Sequence, residues 1–258
     1  MSAELKAARR DATLILTIAN AGLRNALHPD IAAAAIETLA TAERDASIRA
    51  VVITGADGYF CSGGNLHRLA ENRRLPGSVQ AESIDTLHSW IEAIRACPKP
   101  IIAAVEGGAA GAGFSLALAC DLIVAASTAK FQMAYVNVGL TPDGGGSWFL
   151  QQALPRQLVT ELLIDGKPIG AERLHQLGVI NRLAPVGEAL NHTLQWADDL
   201  ALRSPHAVER IKDLLRSAAG NTLQGQLDAE KGSFVDSLHH RDAQEGISAF
   251  LEKRKPAY

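Results

Sequence analysis

The sequence predicts an α/β protein whose mostly parallel sheet is covered by helices on both faces, continued by a helical C-terminal region. Three observations predict it. Short apolar runs (TLILTI, AVVIT, IIAAV, DLIVA) recur without polar alternation, and such strands are buried on both faces. Helical periods separate them, as expected where a chain crosses over between parallel strands. Beyond Trp148 the periodicity becomes mostly helical.

In chain order, Thr13–Ile18 reads as a strand and Ile31–Asp45, rich in alanine with its charges late, as a helix. Ala50–Thr54 is a strand that stops at Gly55, with Ala56-Asp57-Gly58 as the turn. Ser83–Ala96 places Ile84, Leu87, Ile91 and Ile94 at helical spacing, and Cys97-Pro98-Lys99-Pro100 ends it because proline disfavours helix at itself and just before. Ile101–Val105 is a further strand. Gly107–Gly113 is then a glycine-rich bend into a helix through Ser115–Ala119. Asp121–Ala125 is another strand, and Thr128–Met133 a short one. The rest reads as helices over Leu158–Ile164, Ala171–Leu177, Gly187–Arg203, Pro205–Ala219, Leu223–Leu238 and Asp242–Lys253. Residues 1–185 are expected to form the α/β body and 186–258 a helical module. Asn72–Ala81 reads as a polar loop without a pattern.

Composition removes several classes. The 258 residues are 47% hydrophobic and 21% charged, enough apolar content for a sizeable core. Lys plus Arg number 25 and Asp plus Glu 28, a formal charge of −3, so no global field favours nucleic acid or an anionic membrane. The uncharged stretch Gly107–Cys120 is 14 residues long, short of the ~20 that span a bilayer. Three cysteines without CxxC spacing imply neither a disulfide framework nor zinc. The first twenty residues lack a signal-peptide layout, so a cytoplasmic protein is expected.

Three glycine-rich segments carry the candidate chemistry: Phe60–Leu66 (FCSGGNL), Glu106–Ser115 (EGGAAGAGFS) and Gly139–Trp148 (GLTPDGGGSW). Glycines at strand ends admit positive φ and let a ligand approach the main chain. Where such a bend opens a helix, N–H groups without intrahelical acceptors point outward, so two of them from different loops can grip one developing oxyanion. A tight turn with close helix–strand packing is the alternative for each segment alone. The second segment lacks the Gly-Lys-Ser/Thr of a phosphate loop, and Gly111 and Gly113 are followed by Leu116 where a dinucleotide fingerprint needs glycine. Ser115, Asp143 and His175 fall in the chain order of an α/β-hydrolase triad, but ten positions separate Val105 from Ser115, which puts the serine inside a helix and not at an elbow.

Taken in order, the segments resemble the crotonase superfamily, the enoyl-CoA hydratase/isomerase group. The family's FCAGADL is similar to FCSGGNL, its KPVIAAVNGYALGGG to KPIIAAVEGGAAGAG (Lys99–Gly113), and its CDIIYAGEKAQFG to CDLIVAASTAKFQ (Cys120–Gln132). The likeness runs on through GLTPDGGGSW to the C-terminal EGISAFLEKRKPAY. It implies a crotonase-like spiral of ββα units with a C-terminal helical trimerisation region. It also implies a homotrimer or dimer of trimers, an acyl-CoA thioester substrate, and no cofactor beyond the coenzyme A that the substrate carries.

By motif position the resemblance implies Gly64 and Ala112 as the oxyanion donors. It implies Arg24, Ala26, Ser62 and Leu66 along the CoA channel, and Phe250 and Lys253 near the CoA phosphates, often those of a neighbouring subunit. The two glutamates of family hydratases, in GGGCE and FGQPE, are Ser115 and Tyr135 here, so the standard hydratase pair is absent. Asp143 remains, at the place where isomerases of the family carry an acid. A lone carboxylate suffices for a double-bond or ring isomerisation of an enoyl-CoA, taking a proton and returning it two carbons along. Hydration through a rearranged acid set, an aspartate-nucleophile hydrolysis of the aryl-CoA dehalogenase type and a non-catalytic CoA-binding relative stay open. So do capping for Asp143, and substrate contact or packing for Tyr135.

Overall fold

The computed structural model describes residues 3–258. A six-stranded sheet runs β1 (Glu4–Arg10), β2 (Thr13–Ala19), β3 (Ala50–Gly55), β4 (Ile101–Val105), β6 (Leu122–Ala126), β9 (Arg182–Ala184). Only β1 is antiparallel, paired with β2 from Glu4↔Ala19 to Arg10↔Thr13. A second, three-stranded sheet orders β5 (Gly108–Ala110), β7 (Lys130–Gln132) and β8 (Ile169–Gly170).

The unalternating strands have the cause expected. On β3 and β4, Val51, Ile53, Ile101, Ala103 and Val105 face the larger core, while Ala50, Val52, Ile102 and Ala104 face a smaller one on the opposite side. The larger core takes α1 (Pro29–Arg44), α3 (Gly77–Ala96) and α4 (Ala112–Ala119), whose Ile31, Leu39, Trp90, Ile94 and Leu116 are almost wholly buried. The smaller core takes α8 (Ala189–Ala201) through Ala189, Leu194 and Ala197. Helix α8 opens on Gly187 and Ala189 N–H groups donated to Glu106, at 3.0 and 3.2 Å, so the acid of the second glycine segment acts as its N-terminal anchor.

Several elements differ from the sequence reading. Strand β1 (ELKAARR) was not expected, because a charged sheet edge carries no apolar pattern. Residues 72–81 are not a patternless loop: α2 (Leu66–Asn72) ends on the first of them and α3 already begins at Gly77, its first turns without a fully buried residue and therefore without an apolar stripe. Gly108–Ala110 forms β5, and α4 starts at Ala112, three residues before the expected helix. Strand β9 was also unexpected, since three residues are too short to show periodicity.

The remaining helices are α5 (Gly146–Ala153), α6 (Arg156–Asp165), α7 (Ala171–Gln176), α9 (Pro205–Ala218), α10 (Leu223–His239) and α11 (Arg241–Leu251). Helices α9 and α10 contribute no buried residue. Among the described residues no helix is long and apolar enough to cross a membrane.

Candidate active site

The loops leaving β3 and β4 are zipped together beyond the strand ends. Phe60 N–H donates to Glu106 O (2.9 Å), Cys61 N–H to Gly108 O (3.3 Å) and Ala110 N–H to Cys61 O (2.9 Å). Gly113 then lies so close to Cys61 that an added Cβ would stand 2.5 Å from its carbonyl oxygen and 2.8 Å from its Sγ. This contact docks the start of α4 on the first glycine segment. Burial of the Cys61 thiol pushes it up to about 12, so it serves as a small apolar filler.

A third segment joins from the turn after β2. Asn25, buried with φ of 57°, donates from Nδ2 to Ala56 O (2.8 Å) and Tyr59 O (2.6 Å), and its Oδ1 accepts from Asn20 N–H (3.1 Å). Leu27 N–H reaches Gly63 O at 2.7 Å in a parallel bridge between Leu27 and Gly64. Because the bridge uses the carbonyl of Gly63, the N–H of Gly64 is left on the other side. Ala112 is the first residue of α4, after Gly111 at φ 51°, ψ −128°, so its N–H has no acceptor within the helix.

Gly64 and Ala112 line one cavity of about 370 Å³ with Ser62, Leu66, Tyr135 and Asp143. Six of the expected site residues thus come together. Four lie outside this lining. Arg24 is exposed beside it, its carbonyl accepting from Ser62 N–H (3.0 Å) and its guanidinium 5.6 Å from the Tyr59 ring centre. Ala26 is 3% exposed, its carbonyl held by Asn20 Nδ2. Phe250, at the end of α11, is 83% exposed, and Lys253 follows it on the surface.

Asp143 is the only carboxylate among the lining residues. Its Oδ1 accepts from the Tyr135 hydroxyl at 2.7 Å, and its main-chain oxygen accepts from Ser115 Oγ at 2.9 Å. Burial first, then the negative charge of Asp143, holds the Tyr135 hydroxyl above its ordinary range, so it stays a donor. Capping does not account for Asp143: the N-cap of α5 is Gly145, with no side-chain hydrogen bond. Nor is there a serine triad. Ser115 is wholly buried and bonds a carbonyl, while His175 Nδ1 sits on Ile180 O at 2.8 Å.

Sequence reasoning missed His28, Arg68, Gln80 and Trp90, which share the lining. The signal for α2 was present: Asn65 caps it, accepting from His67 and Arg68 N–H at 3.0 and 3.3 Å, ahead of Leu66 and Leu69. Among the described residues no group of three or more His, Cys, Asp or Glu is placed to hold a metal ion.

The main chain of Gly64 and Ala112 and the carboxylate of Asp143 thus border one largely apolar cavity of an α/β fold. Residues 9–258 match the family model described as enoyl-CoA hydratase/isomerase. The chain belongs to this family, within the crotonase superfamily, and is an enzyme of that class. It is 34% identical to the 2,3-dehydroadipyl-CoA hydratase of Escherichia coli (strain K12), covering 99% of this chain and 98% of that one. It is also 34% identical to the 1,2-epoxyphenylacetyl-CoA isomerase of the same organism, covering 95% and 94%. Among solved structures, an enoyl-CoA hydratase from Polaromonas sp. JS666 superposes with a TM-score of 0.98 at 55% identity, over 99% of each chain.

Proposed function

We propose that the protein isomerises an enoyl-CoA thioester by passing one proton through Asp143, with the N–H groups of Gly64 and Ala112 holding the thioester oxygen. One observation carries this reading. At the two positions where family hydratases have glutamates, Tyr135 donates to the Asp143 carboxylate and Ser115 to its main-chain oxygen. The site is thereby organised around one acid and not two.

In the proposed step a carboxylate oxygen of Asp143 takes an α or γ proton, and the electron pair moves onto the thioester oxygen. The two N–H donors stabilise that charge, each worth about 2.7–4 kcal/mol in comparable sites. Asp143 then returns the proton two carbons along, so no atom is gained or lost. The Tyr135 hydroxyl occupies Oδ1 and leaves Oδ2 for the substrate. No cofactor is needed beyond the coenzyme A of the substrate.

Ser62, Leu66, Arg24 and Ala26 are proposed to flank the CoA chain. We propose a homotrimer or dimer of trimers in which region 186–258 divides its work. Helix α8 supports the sheet, while α9–α11, which expose Ile211, Leu215, Phe234, Phe250 and Leu251, meet neighbouring subunits. Phe250 and Lys253 would then reach a neighbour's CoA. A cytoplasmic location is part of the same reading.

Hydration is the second reading, favoured by the names of the E. coli hydratase and the Polaromonas structure. Incubation with 3-enoyl-CoA and 2-enoyl-CoA in deuterated water, followed by NMR, separates the two. Migration of the double bond supports isomerisation, its low deuterium content reporting return of the same proton, and a 3-hydroxyacyl-CoA supports hydration. Asp143→Asn is expected to lower kcat by roughly 10²–10⁴-fold. Full activity of this variant would overturn the assignment of Asp143.

A further inference from the structure

The cavity also holds a cation that the proposed proton transfer does not use. Arg68, in the first turn of α2, is half-buried in the lining. Every arginine–carboxylate ion pair of the described residues belongs to another arginine: Arg9, Arg10, Arg210, Arg216, Arg241 or Arg254. The one lining carboxylate, Asp143, is bonded to Tyr135. A guanidinium drawn part-way out of water without a counter-charge is costly, and an anion offsets that cost.

Two further donors line the same cavity. Gln80 of α3 uses its Oε1 to accept from Asn72 Nδ2 at 2.8 Å, which leaves its amide N–H groups for another partner. Trp90 is wholly buried in the lining and its Nε1–H has no acceptor. The lining contributed by the same two helices is mostly apolar, with Leu69, Ile84 and Leu87 beside Ser83. Donors without acceptors in a largely apolar lining fit an elongated apolar ligand that ends in an anionic acceptor. Two parts of an acyl-CoA can supply that anion, a distal carboxylate on the acyl chain or a CoA phosphate. The first fits better. Arg68, Gln80 and Trp90 belong to α2 and α3 and line the cavity, whereas the cations expected to meet CoA, Arg24 and Lys253, lie outside the lining.

We propose that the natural acyl group carries a carboxylate remote from the thioester, and that Arg68 is the specificity-determining residue that holds it. The proposal rests on the acyl-CoA reading above. A planar guanidinium bonds a carboxylate through two parallel N–H groups, a geometry that lysine cannot reproduce.

The test uses the full-length protein and the Arg68→Gln and Arg68→Lys variants. Unreactive saturated thioesters are compared at equal chain length: glutaryl-, adipyl- and pimelyl-CoA against valeryl-, hexanoyl- and heptanoyl-CoA. Their binding is measured by isothermal titration calorimetry, which does not depend on turnover, and free CoA is titrated as a separate arm. The expected result is that at least one carboxylated ligand binds about 10- to 100-fold tighter than its neutral counterpart. Arg68→Gln should erase that preference, Arg68→Lys restore part of it, and neither should change the Kd of free CoA. Equal binding of the charged and neutral ligands by the unmodified protein would overturn the proposal. So would equal weakening of both series by Arg68→Gln, and a selective loss of free-CoA binding would place Arg68 on a phosphate instead. Turnover of neutral 3-enoyl-CoA without any carboxylate preference would leave the isomerase reading standing while this inference falls.

Discussion

Gly63→Ala tests how closely the loops carrying Gly64 and Ala112 depend on each other. Gly63 has φ of 88°, and an added Cβ would stand 2.6 Å from Ala110 O and 3.1 Å from Ala112 N. A left-handed alanine costs about 1–2 kcal/mol, and forcing a methyl into a closed contact adds about 1–3 kcal/mol. The expected loss is about 2–5 kcal/mol, or roughly 5–15 °C in Tm for a chain of this size. The two loops must also move apart, and a shift near 1 Å at reacting groups costs about 10²-fold in turnover. Its neighbour supplies the control. Gly64 lacks a positive φ, and a Cβ there meets only Leu69 Cδ1 at 3.5 Å, so Gly64→Ala should cost less than about 1 kcal/mol. Calorimetric Tm of both variants and steady-state turnover of Gly63→Ala provide the assay. Equal stability of the two variants, or unimpaired turnover by Gly63→Ala, would refute the docking of these loops.

Two further outcomes are expected. Tyr135→Phe removes the 2.7 Å bond to Asp143 Oδ1 and should lower kcat about 10- to 100-fold with little change in KM. Since burial and Asp143 raise the tyrosine's pKa, its titration should contribute no fall in rate up to about pH 10, and steady-state pH profiles of both forms check this. The three free cysteines are buried, and burial raises the thiols of Cys61 and Cys120, Cys61 to about 12. A thiol titrating near 9 when unfolded and near 12 when folded binds more protons in the native state between those values. Its stabilising contribution is therefore complete below about pH 9 and lost as pH rises towards 12. Native protein at about pH 8 should resist a thiol reagent that labels all three cysteines after unfolding, and rapid labelling of any one would contradict this burial.

Much of the fold was legible because its signals are local. Ile101–Val105 declares itself as a two-sided strand by being apolar throughout, and the structure buries all five residues. The glycine segments were equally plain, since Gly63 and Gly111 stand where only glycine tolerates the backbone. Elements without an apolar stripe stayed hidden: charged β1, the first turns of α3, and three-residue β9.

The sequence by itself determined the family, the loops that present Gly64 and Ala112, and Asp143 as the acid worth attention. The tertiary structure alone decided what surrounds that acid. Ser115 and Tyr135 lie 28 and 8 positions from Asp143, and only folding brings the Tyr135 hydroxyl onto its carboxylate and the Ser115 hydroxyl onto its main-chain oxygen. Likewise only the packing of α2 beside α3 places Arg68, Gln80 and Trp90 in the lining of one cavity. The reason is physical. Backbone preference and apolar periodicity are written over a few neighbouring residues, whereas a hydrogen-bond partner is chosen by whichever distant side chain the closed core leaves within 3 Å.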